Sequence, residues 1–428
     1  MHKKKLGFIS IILLGLNGII GSGIFLLPNQ IAKLVGNGSF GIIIFDAGLV
    51  TSIAFCFAQA ASYFKEDGGA YLYAQSAFGN FVGFEVGFVT WAICIIAQAT
   101  MSAALKTELV NLFPNLAPYQ NWIVSALLIF LAFLNIGGVQ ISKWLINLTS
   151  IAKLTPLILF IVIGLFFIHP NRINALPFSQ KVVQTNFNQA ALTMFYAFTG
   201  FESMVLAAGE MRHVQKNLPR AIILVIGSVA SLYLLIQIVA AGTLGKTLGI
   251  TKVPVQASFT QIAGRTGYNL VGLGTLLSMA GLLVTSSFVT PRAAVALAAH
   301  QHLPQILNWR NQYHAPFMAI LVSTGLSLII MWFGNFSALA QISAVSRFAQ
   351  YLPTCLAVLV FQKTKTLHPQ QFHLWGGPVI PLIAIVVSCW LLSKVSTAKL
   401  LAGLGALFIG VPIYLLMHFW KRHNAHAD

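Results

Sequence analysis

Two short stretches carry chemistry that the rest of this apolar chain does not offer. The first is Gly21-Ser22-Gly23, set inside the apolar run from Leu6 to Val35, with Pro28 close behind. The second is Phe198-Thr199-Gly200-Phe201-Glu202-Ser203, a small-residue interruption beside polar groups in another apolar stretch. In hydrocarbon every backbone N–H and C=O needs a partner, so a helix broken at bilayer depth is tolerated only where it faces protein or a water-filled cavity. A half-helix that restarts at Gly21, Ser22, Gly23 and Ile24 offers free N–H groups and a positive dipole end, the natural seat of a carboxylate. The carbonyls that end the first half-helix, around Ile19 and Ile20, and the opened backbone from Tyr196 through Phe198 to Thr199 suit a cationic amino group. One molecule that carries both groups is an α-amino acid. For the glycines alone, the alternative is a close helix contact of the small-residue type.

Ionisable side chains inside spans cost roughly 2.5–3.5 kcal/mol each on insertion scales, so each needs a reason to be there. Lys153 stands mid-span in Ile151-Ala152-Lys153-Leu154-Thr155-Pro156, too deep to snorkel. Desolvation makes a buried lysine give up its proton readily, so Lys153 is a candidate to carry a coupling proton or to replace a bound sodium ion. Its alternative role is helix glue, through a backbone carbonyl. Glu202 directly follows the second interruption and is a candidate proton or pH sensor, with a helix-capping carboxylate as its alternative. Arg347 is expected to pair with a carboxylate or cap carbonyls inside the bundle, a structural role. Asp46 and Glu85 lie nearer span ends, where an interfacial place would account for them, and no role is assigned to them.

These residues must be positioned by membrane-spanning helices. The chain has 428 residues, 57% hydrophobic and 8% charged, with a mean hydropathy of +0.82, whereas a soluble chain carries about a quarter charged residues. At roughly 20 apolar residues per span, about twelve spans are predicted, near 7–35, 40–64, 81–110, 121–138, 144–168, 187–211, 219–243, 267–298, 315–333, 339–361, 376–393 and 397–419. The formal charge of +17 would suggest nucleic acid in a soluble protein. Here Lys3 to Lys5, Lys143, Arg212, Lys216, Arg220, Arg310, Lys363 and Lys421 fall in the connections of one side, which puts both termini in the cytoplasm. A cleaved secretory signal is not expected, because the apolar pattern resumes at Ile24 and continues to Val35.

Cys56, Cys94, Cys355 and Cys389 lie in apolar spans without CxxC spacing and read as small buried hydrophobes. The eleven histidines lie mostly in loops and at the ends. No metal motif emerges and no cofactor is expected.

No Ser/Pro-rich linker divides the chain, so residues 1–428 are expected to form a single membrane domain. Interruptions in the first and sixth spans are what an inverted repeat produces. Repeat one would cover about 7–168 and repeat two about 187–361, with extra helices at about 376–419. The connection Lys65-Glu66-Asp67-Gly68-Gly69-Ala70-Tyr71-Leu72-Tyr73 reads as a gate, hinge or interfacial anchor at the cytoplasmic surface, and Val255 to Ala263 as an external lid helix.

Gly21-Ser22-Gly23-Ile24-Phe25-Leu26-Leu27-Pro28, Gly68-Gly69-Ala70-Tyr71, Phe198-Thr199-Gly200-Phe201-Glu202-Ser203 and Gly209-Glu210 with Asn217-Leu218-Pro219-Arg220 resemble the amino acid–polyamine–organocation superfamily of permeases. The resemblance implies an all-α membrane fold of about 12 transmembrane helices, with the LeuT-like 5+5 inverted repeat and broken helices 1 and 6. It implies a carboxylate held by the amides of Ser22, Gly23 and Ile24, and an amino group held by carbonyls at Ile19, Tyr196 and Thr199. Lys153 matches a fifth-span lysine that takes the place of sodium in sodium-independent members. Where the arginine–agmatine exchangers have an Asn and a Trp against the substrate side chain, Gln98 and Ser286 stand here, anchored on Trp91 and Pro304. Loss of the aromatic removes a stacking surface for a cation and favours a neutral amino acid.

The expected protein is therefore a secondary active amino acid transporter of the plasma membrane, coupled to protons or exchanging one amino acid for another. A cationic amino acid or polyamine antiporter is the alternative within the superfamily. An embedded enzyme would need a metal cluster or a nucleophile–base set in the spans, and a channel would need a ring of repeated polar groups. The sequence offers neither.

Overall fold

The computed structural model describes residues 7–64, 69–138, 143–174, 176, 179–202, 204, 214–299, 302–364, 372–374 and 376–424. Among them the regular structure is helical, with no strand. The first expected span is three pieces: α1 (Phe8–Ile19), α2 (Ser22–Leu26) and α3 (Pro28–Val35). Pro28 opens α3, where its missing N–H costs nothing and its fixed φ suits the first turn. There follow α4 (Ser39–Ser62), α5 (Gly69–Phe78), α6 (Asn80–Leu112), α7 (Gln120–Ile136), α8 (Lys143–Gly164), α9 (Pro170–Asn174) and α10 (Gln180–Phe198). The remaining helices are α11 (Val214–Leu244), α12 (Pro254–Ala299), α13 (Phe317–Phe333), α14 (Phe336–Thr364), α15 (Val379–Ser393) and α16 (Thr397–Asn424).

Seven helical segments among the described residues are long and apolar enough to cross a membrane, and three more apolar helices are shorter. Within α12 the backbone leaves the helix at Ala263 and Gly264 (φ +60°, ψ −147°). The segment expected as a lid, Val255 to Ala263, is thus a short helix of its own. Of the expected gate, residues 65–68 lie outside the described ones, and in α5 Tyr73 is buried and Tyr71 half-buried.

The chain divides into two compact units. Unit one is Met1–Ala77, Ala152–Thr275 and Tyr351–Val395; there α4 packs on α10, α11 and α15, and α10 packs on α3. Its buried side chains include Phe57, Phe198, Phe201, Tyr233 and Tyr351. Unit two is Phe78–Ile151, Leu276–Gln350 and Ser396–Asp428, in which α6 packs on α13 and α16, and α13 also packs on α7.

Cys56 and Cys355 are buried as expected, whereas Cys389 is exposed on α15, because the face of an apolar helix that meets lipid is apolar too.

Candidate functional site

The site is built where two helices stop. At the end of α1 the Ile20 N–H still reaches the Leu16 carbonyl at 3.0 Å, but Ile20 and Gly21 are extended (ψ 102° and −152°) before α2 begins at Ser22. At the end of α10, Thr199 is extended (ψ 156°) and Gly200 takes φ +110°, a conformation that side chains with a Cβ rarely adopt.

The two interruptions touch. A Cβ on Gly200 would lie 2.7 Å from the Gly18 carbonyl carbon, nearer still to its oxygen, and 3.3 Å from the Ile19 nitrogen. A Cβ on Gly23 would lie 2.8 Å from the Ala197 Cβ and 2.9 Å from its Cα. Glycine at 23 and 200 is therefore what lets the two broken backbones approach. The Ser22 hydroxyl and the Tyr196 hydroxyl are 3.3 Å apart, joining the two sides by a side-chain hydrogen bond. Ile19, Ser22, Gly23, Ile24, Tyr196, Phe198 and Thr199 are all buried; Gly21 is half-buried.

The opened backbone is not left to itself. Thr199 donates both its N–H (3.2 Å) and its hydroxyl (2.7 Å) to the Tyr196 carbonyl. Tyr233 on α11 donates its hydroxyl to the Ala197 carbonyl at 2.8 Å. The Tyr196 carbonyl, expected to receive an ammonium group, thus already accepts from Thr199. A bound cation there would share it or displace the hydroxyl.

Glu202 braces the second interruption. One carboxylate oxygen accepts the Gly200 N–H at 2.8 Å, and the other accepts the Tyr351 hydroxyl from α14. This carboxylate thus holds the turn before it; the half-helix it is expected to cap lies largely outside the described residues. Phe57, Phe195 and Phe201 surround the Tyr351 ring, with centroids 5.4–6.1 Å away.

Lys153 lies on α8, and its side chain is outside the described residues, as is Ser203. Gln98 and Ser286 belong to unit two. There the Gln98 side-chain oxygen accepts from Ser327 at 3.2 Å, and Trp91 donates to Ser323 at 3.0 Å. The Ser286 hydroxyl is buried with no hydrogen-bond partner among the described residues. Arg347 is half-buried in α14. Asp46 and Glu85 are buried, and their carboxylates have no hydrogen-bond partner among the described residues. Among the described residues no cluster of three potential metal ligands occurs.

The sequence reading missed Tyr233, Tyr351 and Lys106. Lys106 is a buried cation in α6 that donates to the Asn121 side chain (3.0 Å) and the Met331 carbonyl (2.8 Å). A charge within an apolar span was signal enough to single it out.

Apolar helices too long for a soluble core, with two interrupted ones meeting backbone to backbone, define a multi-pass membrane transport protein. The amino acid permease family matches residues 6–417, nearly the whole chain. This protein belongs to that family, within the amino acid–polyamine–organocation superfamily. An uncharacterised transporter of Mycobacterium tuberculosis is 31% identical over 90% of this chain and 86% of its own length. The serine/threonine exchanger SteT of Bacillus subtilis is 26% identical over 96% of both chains. An arginine/agmatine antiporter of Chlamydia caviae is 25% identical over 96% of this chain and 90% of its own length. All three relatives carry the names of transporters, not of enzymes.

Proposed function

We propose that this permease is a sodium-independent secondary active transporter of small neutral amino acids, working by exchange or proton symport across the plasma membrane with both termini in the cytoplasm. The observation that carries the reading is the contact between the two interruptions, which gathers the amides of Ser22, Gly23 and Ile24 and the backbone of Ile19 and Tyr196 to Thr199 in one buried place. Amides and a helix dipole take the carboxylate; carbonyls take the ammonium. A neutral substrate is supported by Gln98 and Ser286, neither of which offers a stacking face or a charge to a cationic side chain. The name of the serine/threonine exchanger points the same way, whereas that of the arginine/agmatine antiporter points to the cationic alternative.

A twelve-span, five-plus-five inverted repeat is supported by how the two compact units divide the chain. The expected spans one and two fall in unit one and spans three and four in unit two; spans six and seven fall in unit one, and span nine with most of span eight in unit two. Spans five and ten are each divided. The same assignment in both halves is what two equivalent repeats would give, and it suits alternating access by one body rocking against another.

The test is uptake of labelled amino acids into proteoliposomes, with and without a pH gradient, sodium or internal amino acid. Serine and threonine should accumulate or exchange without sodium, and arginine should not compete. Failure of every amino acid to move would remove the proposal. Lys153→Ala should abolish gradient-driven uptake; undiminished proton-driven uptake in that variant would end its coupling role.

A further inference from the structure

Unit two contains a cavity of about 740 Å³ that the transport reading does not use. Its walls are α6, α13, α16 and the short 3-10 turn at Gln305–Asn308, with Phe88, Ile95, Leu307, Leu326, Ile409 and Met417 among the lining side chains. The lining is almost wholly apolar, and the size falls in the range of roughly 300–1,000 Å³ typical of small-molecule sites. Along α16 the lining positions 402, 406, 409, 413 and 416 recur at three- and four-residue steps, with 401, 405 and 417 beside them, so a single face forms the wall. Small residues set the depth of that wall: a Cβ added to Gly405 would meet nothing within 4 Å. Several lining side chains, Leu401, Ile409 and Leu416 among them, are also more than two-fifths exposed, so the cavity opens on the outer surface of the protein.

In a membrane protein an apolar recess open at the surface faces acyl chains, and its charged end decides which lipid stays. One end of this cavity is basic. Leu303, Pro304 and Leu307 line it, and exposed Trp309 and Arg310 follow within three residues. Arg310 lies close enough to Arg292 for their like charges to act on each other. On α16 the lining ends at Met417, and Lys421 and Arg422 follow one helical turn later, about 6 Å further along the axis. The aromatic pairs Phe84–Tyr414 (5.3 Å) and Phe84–His302 (5.8 Å) fix the starts of α6 and the 3-10 turn beside the last turns of α16, so these basic positions share one end. The carboxylate in the neighbourhood, Glu85, rests against Gly410 on the adjoining stripe of α16, where a Cβ would lie 2.7 Å from Glu85 Oε1, and it is buried.

We propose that this cavity is a binding site for an anionic phospholipid, with one acyl chain lodged between α6, α13 and α16 and the phosphate held at the Trp309-Arg310 end. Basic pockets between spanning helices recognise anionic headgroups, and an interfacial tryptophan marks headgroup depth. This complementarity favours the anionic lipid: a zwitterionic one would fill the apolar part, but its ammonium group would offset the attraction of its phosphate to the cations.

The full-length protein, stripped of lipid in detergent, is titrated with dioleoyl phosphatidylglycerol or dioleoyl phosphatidylcholine, and bound lipid is counted by native mass spectrometry. The wild type should retain phosphatidylglycerol preferentially. Arg310→Gln should cut that preference about five-fold, the equivalent of about 1 kcal/mol per cation near a surface. Gly405→Trp should fill the recess and lose both lipids, while Gly405→Ala should retain them; an unchanged lipid-free melting point shows that the tryptophan variant folds. If it does not fold, Ala402→Phe serves the same purpose. Equal retention of the two lipids by the wild type, or retention of phosphatidylglycerol by a folded, filled variant, would overturn the proposal. So would a change from dimer to monomer on filling the recess, since a second copy of the chain would then be its occupant.

Discussion

Replacing Gly200 with alanine tests whether contact between the two interruptions matters. The added methyl carbon would sit 2.7 Å from the Gly18 carbonyl carbon and nearer still to its oxygen, whereas carbon atoms pack at about 3.5–4.0 Å. One backbone must therefore retreat by about 1 Å. No flexible side chain lies in the way to absorb the shift, because the contacts are with the backbone of Gly18 and Ile19. Holding alanine at φ +110° costs about 1–3 kcal/mol, and overpacking adds about 1–3 kcal/mol. The total of about 2–6 kcal/mol corresponds to at least a ten-fold loss of the competent state. Gly227→Ala is the matched control: it lies within α11, and an added Cβ meets nothing within 4 Å. Its expected effect is neutral or stabilising, since glycine in a helix costs about 0.5–1 kcal/mol relative to alanine. Both variants are purified, their melting points measured in detergent, and initial uptake measured in proteoliposomes. Gly200→Ala should lower the melting point and reduce uptake at least ten-fold, with Gly227→Ala unchanged in uptake. A Gly200→Ala protein within two-fold of wild type on uptake and equal to it in melting point would refute the reasoning.

Tyr351→Phe removes a hydroxyl donor from the buried Glu202 carboxylate and should cost about 1–3 kcal/mol, read as a lower melting point; an unchanged melting point would show that the brace is not needed. Trp91→Phe removes the donor to the Ser323 hydroxyl as well as part of a buried ring, so the hydrogen bond is read from the cycle: Ser323→Ala should cost about 1 kcal/mol less in the Trp91→Phe background than in the wild type; additive losses would contradict a direct coupling. Ser22→Ala loses only the 3.3 Å contact with Tyr196 and should transport, whereas Ser22→Pro fits the first turn of α2 but lacks the amide donor and should not. Equal uptake by the two variants would contradict a carboxylate seat on that amide.

The interruptions were legible because glycine is out of place at the centre of a spanning helix, and the sequence shows it at both 21–23 and 200. That the two would serve one ligand followed from their complementary free amides and carbonyls, but the contact of Gly23 with Ala197 was not legible, since the two are far apart in sequence and nothing local joins them. Tyr233 and Tyr351 escaped for the same reason: each is an ordinary aromatic residue in an apolar helix until a carbonyl or carboxylate from another element arrives at its hydroxyl. For Asp46 and Glu85 the sequence shows only nearness to span ends, because the neighbours that bury a side chain come from elsewhere in the chain. α4 begins at Ser39 and α6 at Asn80, so each acid lies more than a turn inside its helix and is covered by neighbours.

The hydroxyl of Tyr233 holds the Ala197 carbonyl, and one turn further along α11 Gln237 donates to Ser39 at 3.1 Å and to the Pro28 carbonyl at 3.5 Å. A single stripe of α11 is thus fastened to the end of α10, just before the second interruption, and to the starts of α3 and α4, beyond the first. Shifting either one alone would tear buried hydrogen bonds whose partners have no water to turn to, at about 1–3 kcal/mol for each group left bare. α11 therefore acts as a splint within unit one, holding the end of α10 and the starts of α3 and α4 to one helix.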